Sequence, residues 1–556
     1  MTTHRERAPL AETLMLYRER GASSFHVPGH KNGRAYAGEG KDTEMLREAM
    51  RIDVTEITET DDLFHPEGVI QEAQELAADC FGAEESFFLV GGSTAGNIAL
   101  ILTICREPGD IVLVQRNVHK SVLNGLMLAG ARAVFLQPEL DKQSGLAVAP
   151  SAATLAAALE AYPEARGAII TMPNYYGMGS DLRPLAEACH EFGIPLLVDE
   201  AHGAHYGQHP QLPMNALSCG ADGVVQSTHK MLAAMTMGAM LHVQGGLLDR
   251  SLLRQRLAMV QSSSPSYPLM ASLDLARRLL HTQGADAFTA GLAAVEAFRR
   301  GLAKLPRFGL LQPPQPGGRH AAGTAAAAYT RQDPFKAVIY DRTGSLSGYA
   351  LQRELEARGC VPEMSDELHV VLLFTLGSTQ EETNHVLWAL VHIVEQGEKT
   401  EGIGTESGIT AESTELLIRT LRDQGDFMSY EPRVAHKNMD SIHFDVDSNL
   451  LTEVKPISDV STWNNLLPEI PYSAPIPFSL KPIDRERLES VPLEKIAGRK
   501  AAEMVIPYPP GIPILYPGED ISAGMKQRLL ALRNAGAKCQ GISDPALQTI
   551  VVYKET

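Results

Sequence analysis

Three short segments carry side chains that chemistry could use. Lys230 closes Gln226-Ser227-Thr228-His229-Lys230, Asp199 opens Asp199-Glu200-Ala201-His202-Gly203, and residues 91–97 read Gly-Gly-Ser-Thr-Ala-Gly-Asn. Each follows a short apolar run. A desolvated lysine amine forms covalent bonds with carbonyl compounds. A strand-end acid can hold a protonated ring nitrogen. Glycines ahead of a helix let backbone amides approach an anion, and the helix N-terminus attracts phosphate. Taken singly, each has an ordinary explanation: a solvated lysine, a general ligand position, a plain strand-helix turn. His119, in Arg116-Asn117-Val118-His119-Lys120-Ser121, adds a flat imidazole that by itself reads as a surface histidine at a helix start.

The order of the set carries more than its parts. A phosphate cradle comes first, an acid at a later strand end second, and a lysine at a subsequent strand end third. This order meets the needs of pyridoxal phosphate. Its phosphate takes amides and hydroxyls, its pyridine nitrogen takes an acid, and its aldehyde takes a lysine. No other common cofactor asks for all three, and His119 could stack on the ring.

The elements that must position these residues are short buried strands alternating with helices. The apolar runs are SFFLVGG (86–92), IVLVQ (111–115), AVFLQ (133–137), GAIITMP (167–173), PLLVDEA (195–201), GVVQST (223–228) and GAMLHV (238–243). Such runs predict a mostly parallel central sheet flanked by helices, with ligands at the carboxyl ends of the strands. The expected division is an N-terminal segment 1–45, a cofactor-binding large domain 46–300, a small α+β domain 301–396, a polar linker 397–408 and a C-terminal domain 409–556. An exposed Pro/Gly boundary is expected at 311–323, and an amphipathic helix near 380–396.

Composition narrows the classes. The chain has 556 residues, 44% hydrophobic and 21% charged, as in globular proteins. A net charge of -18 argues against nucleic acid as the main partner. No apolar run reaches spanning length, so no membrane is expected. The N-terminus lacks the apolar core of a secretion signal, and six cysteines without a CxxC pair indicate neither a disulfide framework nor a zinc ribbon, which points to a cytoplasmic location.

The chain resembles the Orn/Lys/Arg decarboxylase family, fold-type-I pyridoxal-phosphate decarboxylases of basic amino acids, in its short form without a receiver-like N-terminal domain. The resemblance rests on Phe25-His26-Val27-Pro28-Gly29-His30-Lys31-Asn32-Gly33, Asp53 to Glu56, Asp61-Asp62-Leu63, residues 91–97, 116–121, 173–177, 199–205 and 227–230, Ser263-Ser264-Pro265-Ser266-Tyr267, Pro507 to Pro513 and Pro517-Gly518-Glu519. It spans roughly 25–270 and 495–520.

That resemblance implies pyridoxal 5'-phosphate as cofactor and decarboxylation of a basic L-amino acid through an external aldimine, with arginine to agmatine favoured over lysine or ornithine. It further implies a place in polyamine biosynthesis and a homodimer or higher even-numbered oligomer. Lys230 would form the Schiff base and Asp199 would pair with the pyridine nitrogen. His119 would stack on the ring, Ala201 would pack under it, and His202 would lie within reach. Ser93, Thr94, Ser227 and the amide of Ala95 would hold the phosphate. His229 would contact the cofactor or protonate the product carbanion. Ser263 and Ser264 would reach the phosphate of a neighbouring subunit. Glu519, in a stiff proline-rich segment, would face the substrate's distal cation. The chain departs from the family at Asn174, where members often carry Thr, and over 426–478, including Trp463, which would be an insertion shaping specificity or assembly.

Other classes fit less well. A metal hydrolase could draw on Glu200, His202, His205 and His209, but glycines at 203 and 207 oppose a helix there and HExxH is absent; no metal is expected. An aminotransferase or aldolase lacks a use for the HVPGHKNG and PYPPGIP segments. A non-catalytic regulator would not need both Lys230 and Asp199. A nucleotide-binding protein would need GxxxxGK[ST] or GxGxxG after a strand.

Overall fold

The computed structural model describes residues 4–313, 327–401, 471–507, 511–534 and 536–554. The chain divides into two compact units. One holds the described residues of Met1–Thr289, Gln312–Pro334 and Leu466–Thr556; the other holds those of Ala290–Leu311 and Phe335–Asn465. The described C-terminal residues group by their contacts with the first unit. No described helix is long and apolar enough to cross a membrane.

The first unit is built on β1 (Glu85–Leu89), β2 (Ile111–Gln115), β3 (Arg132–Leu136), β4 (Ala168–Thr171), β5 (Met178–Gly179), β6 (Leu196–Asp199), β7 (Gly223–Gln226) and β8 (Ala239–Val243). All but the short β5 join one eight-stranded sheet, in which β3, β2, β4, β6 and β7 run parallel in that order, followed by β8 and β1. β8 is antiparallel to both β7 and β1, so β1 points the same way as the parallel set. Strands β2, β4, β6, β7 and β8 are buried along their whole length. This explains why they read as continuous apolar runs rather than alternating ones.

The second unit contains β9 (Phe308–Leu310), β11 (Lys336–Asp341), β12 (Met364–Ser365) and β13 (His369–Leu373) in an antiparallel sheet. In the first unit, β10 (Arg331–Gln332) pairs with β5. The helix expected near 380–396 runs Gln380–Glu401, five residues into the expected linker. Glu, Lys and Gln favour helix, and the single Gly397 lowers that preference without breaking it. The rest of that linker, most of the 311–323 boundary, and 426–470 with Trp463 lie outside the described residues.

The C-terminal segment enters the main sheet. β14 (Ile476–Pro477) pairs antiparallel with β3, and Phe478 and Tyr516 join the core that contains Phe135 and Val114. A satellite core of Leu493, Ile496, Val505, Leu515, Leu529 and Ile550 closes the end of the chain.

Candidate active site

Because β1, β2, β6 and β7 point the same way, their carboxyl ends open on one edge of the sheet, and the four motifs meet there. Asp199 is the last residue of β6, in register with Val225 on β7 and Thr171 on β4. Ser227 follows β7 and begins the one-turn helix Thr228–Met231, which carries Lys230. After β1, Gly92 sits at φ 70°, a left-handed conformation that favours glycine, and the helix Gly92–Ile104 starts there. After β2, His119 caps the helix Lys120–Ala129, its ring accepting from the Ser121 N–H.

Lys230 Nζ lies 3.1 Å from His202 Nε2. The His202 ring is 4.5 Å from that of Tyr175, whose face lies 5.7 Å from Lys230 Nζ. Tyr175 is presented by a turn that Asn174 organises. Asn174 Oδ1 accepts from the N–H of Tyr176 and Met178, both at 3.0 Å, and its Nδ2 donates to Ala147 O at 2.9 Å. The departure at 174 thus leaves a well-anchored turn. β10 supports the same turn, with Gln332 donating to Tyr176 O.

Asp199 is buried. It accepts from Asn97 Nδ2 at 2.9 Å and from the Ala201 N–H at 3.2 Å. His119 is pushed down to about 4, first by burial; the neighbouring Asp199 charge offsets this in part, and Lys230 and Lys120 add to it. His229 Nδ1 is 3.0 Å from Gly238 O, and its own N–H also donates to that oxygen, so the backbone fixes its ring. Residues 237–238 bridge two motifs: a Cβ on Gly92 would lie 3.8 Å from Met237 O. Ser227 Oγ is buried with no hydrogen-bond partner among the described residues. Ser93 and Thr94 sit in the first turn of Gly92–Ile104, Ser93 half-buried and Thr94 exposed, while Ala95 is buried.

Three further expected residues make other contacts or are exposed. Ser263 and Ser264 are exposed, and the Ser264 N–H donates to Ser262 Oγ. Their expected role concerns a neighbouring subunit. Glu519 is held by Arg116. Arg116 Nη2 lies 2.7 and 2.8 Å from its two oxygens, and the Tyr516 N–H donates to it at 3.1 Å. Arg116 also donates to Pro513 O, Ile514 O and the Tyr516 hydroxyl. The Glu519 carboxylate thus lies against Arg116. The sequence offered no signal for this pairing across 403 residues.

Glu200, beside Asp199, is fully buried and was weighed only as a metal ligand. It accepts from the Ala216 N–H and from Gln226 Nε2, with burial pushing it up to about 8. Of the other residues in that histidine cluster, His205 is paired with Asp333 at 3.0 Å, and His209 accepts from the Gln211 N–H. Asn97, Ser121 and Tyr175 were quoted within motifs but given no role. The signal for Asn97 was a lone amide ahead of the apolar run Ile98 to Leu102.

Comparison with known proteins gives the same direction as the geometry. Residues 8–382 match the family described as Orn/Lys/Arg decarboxylase, major domain, and residues 479–550 match its C-terminal domain. An arginine decarboxylase of Bacillus anthracis is 32% identical, covering 98% of this chain and 97% of its own. An uncharacterized protein of Bacillus subtilis, YaaO, is 37% identical over 98% of both chains. The solved structure of lysine decarboxylase A from Pseudomonas aeruginosa superposes with a TM-score of 0.72 at 22% identity, covering 98% of this chain and 80% of that one; this likeness shows the fold.

Proposed function

The chain belongs to the Orn/Lys/Arg decarboxylase family, an amino-acid decarboxylase by that membership, and from this premise we propose that it converts arginine to agmatine and carbon dioxide with pyridoxal 5'-phosphate as cofactor. The observation that carries the cofactor reading is the placement of Asp199 at the end of β6 and of Lys230 in the turn that follows the adjacent β7, beside a buried hydroxyl, Ser227 Oγ, that lacks a partner among the described residues. A buried hydroxyl without a partner is costly, and a phosphate oxygen would relieve it. The arginine reading is supported by relatives named arginine decarboxylase at 30–32% identity along nearly the whole chain.

The residues present fit the cofactor. Lys230 would hold its aldehyde and Asp199 its pyridine nitrogen. Ser227, Ser93, Thr94 and the Ala95 amide would hold the phosphate, with His119 over the ring and Ala201 beneath it. When bound, pyridoxal phosphate supplies a ring that takes up the electron pair left at the α-carbon as the carboxylate departs. Everything else falls to the chain. Asp199, which is buried, would pair with the ring nitrogen, and such an interaction gains strength as charge develops. His202 Nε2, 3.1 Å from Lys230 Nζ, is placed to exchange a proton with it. His229, its Nδ1 held by Gly238, would deliver one proton from Nε2 to the α-carbon. The balance is one amino acid and one proton giving one amine and one carbon dioxide. By the same reading the protein acts as a homodimer, with Ser264 completing the neighbouring site.

The test is carbon dioxide release from arginine, lysine and ornithine in parallel, with and without added pyridoxal phosphate. Arginine should turn over fastest, giving agmatine. Faster turnover of lysine would overturn the substrate assignment, and silence on all three would overturn the reaction.

A further inference from the structure

A run of hydrogen bonds joins Asp199 to His119. Asn97 Nδ2 donates to Asp199 Oδ2 at 2.9 Å and to Ser121 Oγ at 3.0 Å. Ser121 Oγ lies 2.9 Å from His119 Nδ1, and the Ser121 backbone N–H donates to the same nitrogen at 3.2 Å. Asn97, Ser121 and Asp199 are all buried. The approach depends on Gly96: a Cβ there would sit 2.8 Å from Leu89 and 2.9 Å from Val225. Its absence lets the helix Gly92–Ile104 pack against β1 and against the β7 residue in register with Asp199.

The directions of these bonds follow from what each group can do. A carboxylate only accepts. Asn97 must therefore turn its amide hydrogens toward Asp199, because the opposite flip would set oxygen against oxygen in a buried place. Its second amide hydrogen goes to Ser121 Oγ. That hydroxyl keeps its own proton to give, and the acceptor within reach is His119 Nδ1. A ring nitrogen that accepts both an O–H and an N–H carries no proton, so the single proton of His119 sits on Nε2. Burial acts in the same sense, disfavouring the charged ring.

We infer that Asn97 and Ser121 are positioning residues that relay the charge of Asp199 to His119 and hold that ring as the neutral Nε2–H tautomer. The purpose of the relay rests on the cofactor reading above; its geometry does not. A neutral imidazole laid over a protonated pyridine avoids repulsion between two cations. It also leaves Asp199 as the undivided partner of the ring nitrogen.

The test is the 15N spectrum of histidine-labelled protein, with the His119 resonances assigned by their loss in His119→Gln. It is recorded with pyridoxal phosphate bound and again after its removal. The wild type should show an unprotonated Nδ1 and a protonated Nε2 from about pH 8 down to about pH 5.5, well above where burial places the titration. Asn97→Ala removes the amide that makes the Ser121 hydroxyl accept and so leaves its proton free to reorient, and Ser121→Ala removes that donor outright. Each should shift His119 toward a mixture of tautomers. Thr103→Ala removes a buried hydroxyl from the same helix, whose partner among the described residues is Ala99 O, and should leave the His119 signals in place. A protonated Nδ1 in the wild type, or signals unmoved in both relay variants, would overturn the inference. A protein that takes up no pyridoxal phosphate but keeps the Nε2–H signature would sink the cofactor reading and leave the relay standing.

Discussion

Glu519→Gln separates two roles for one carboxylate. The sequence placed Glu519 opposite a substrate cation; the structure places it on Arg116. In the structural role, the substitution keeps the shape and removes the charge. Arg116 and Glu519 are 18% and 24% exposed, so the pair is largely but not fully desolvated. Breaking a fully buried pair costs about 3–5 kcal/mol, and a hydrogen bond to a charged group contributes about 1.5–3 kcal/mol. Arg116 retains Pro513 O, Ile514 O and the Tyr516 hydroxyl, and residual solvent screens part of the charge. The expected loss is therefore about 1–3 kcal/mol, or a fall in Tm of roughly 2–6 °C for a unit of this kind. The assay is thermal unfolding of the full chain followed by steady-state kinetics below the transition. KM for arginine should stay within about twofold, under 0.5 kcal/mol. An unchanged Tm with KM raised tenfold or more would refute the reasoning and return Glu519 to the substrate.

Asp199→Asn should retain cofactor absorbance but lose about two to four orders of magnitude in kcat, on the order of 3–5 kcal/mol; near-wild-type turnover would end its role at the ring nitrogen. Lys230→Ala should abolish borohydride trapping of the cofactor on the protein, and a label found on another lysine by peptide mapping would displace the central assignment. Burial holds His119 near 4 against an ordinary 6.5, so the unfolded chain binds a proton that the folded chain refuses. Stability from this source is full above about pH 6.5 and falls as pH drops toward about 4, by at most about 3 kcal/mol; urea denaturation of His119→Gln across that window should show a shallower decline, and an identical slope would contradict the argument. A mixture of Lys230→Ala and Ser264→Trp proteins should regain activity through hybrid sites, whereas an active monomer in sedimentation would exclude the shared site.

What could be read ahead of the structure follows the range of the interactions. β2 was expected at 111–115 and is found at Ile111–Gln115, because a fully buried parallel strand announces itself as an unbroken apolar run. Asp199 and Ser227 could be placed at strand ends for the same reason. β14 could not be foreseen: it is two residues long and includes a proline. Its pairing with Ala133 and Arg132 spans some 340 residues of chain, and no local period encodes that. The packing of the C-terminal segment was equally hidden: Phe478 and Tyr516 pack on Phe135 with no nearby sequence to show it.

The site displays the same limit at finer scale, and there it has a chemical consequence. Residue types identify the groups that can act on a ring, but the state in which each acts depends on neighbours brought from other strands. Asp199 is buried and accepts from Asn97 Nδ2 and the Ala201 N–H. Glu200, one residue on, has two donors as well, yet full burial pushes it to about 8. Alternation along a strand sends the two side chains to opposite sides. Asp199 thus meets the helices that carry Asn97 and His119, and Glu200 meets Gln226 and the Ala216 backbone. Of two adjacent acids, one faces Asn97, on the side where we propose the ring binds, and the other holds the Ala216 backbone and Gln226. Exchanging the pair, Asp199→Glu with Glu200→Asp, preserves composition and charge but lengthens the first carboxylate by one methylene against Asn97, so on the proposed reading the exchanged protein should lose turnover while its net charge stays the same.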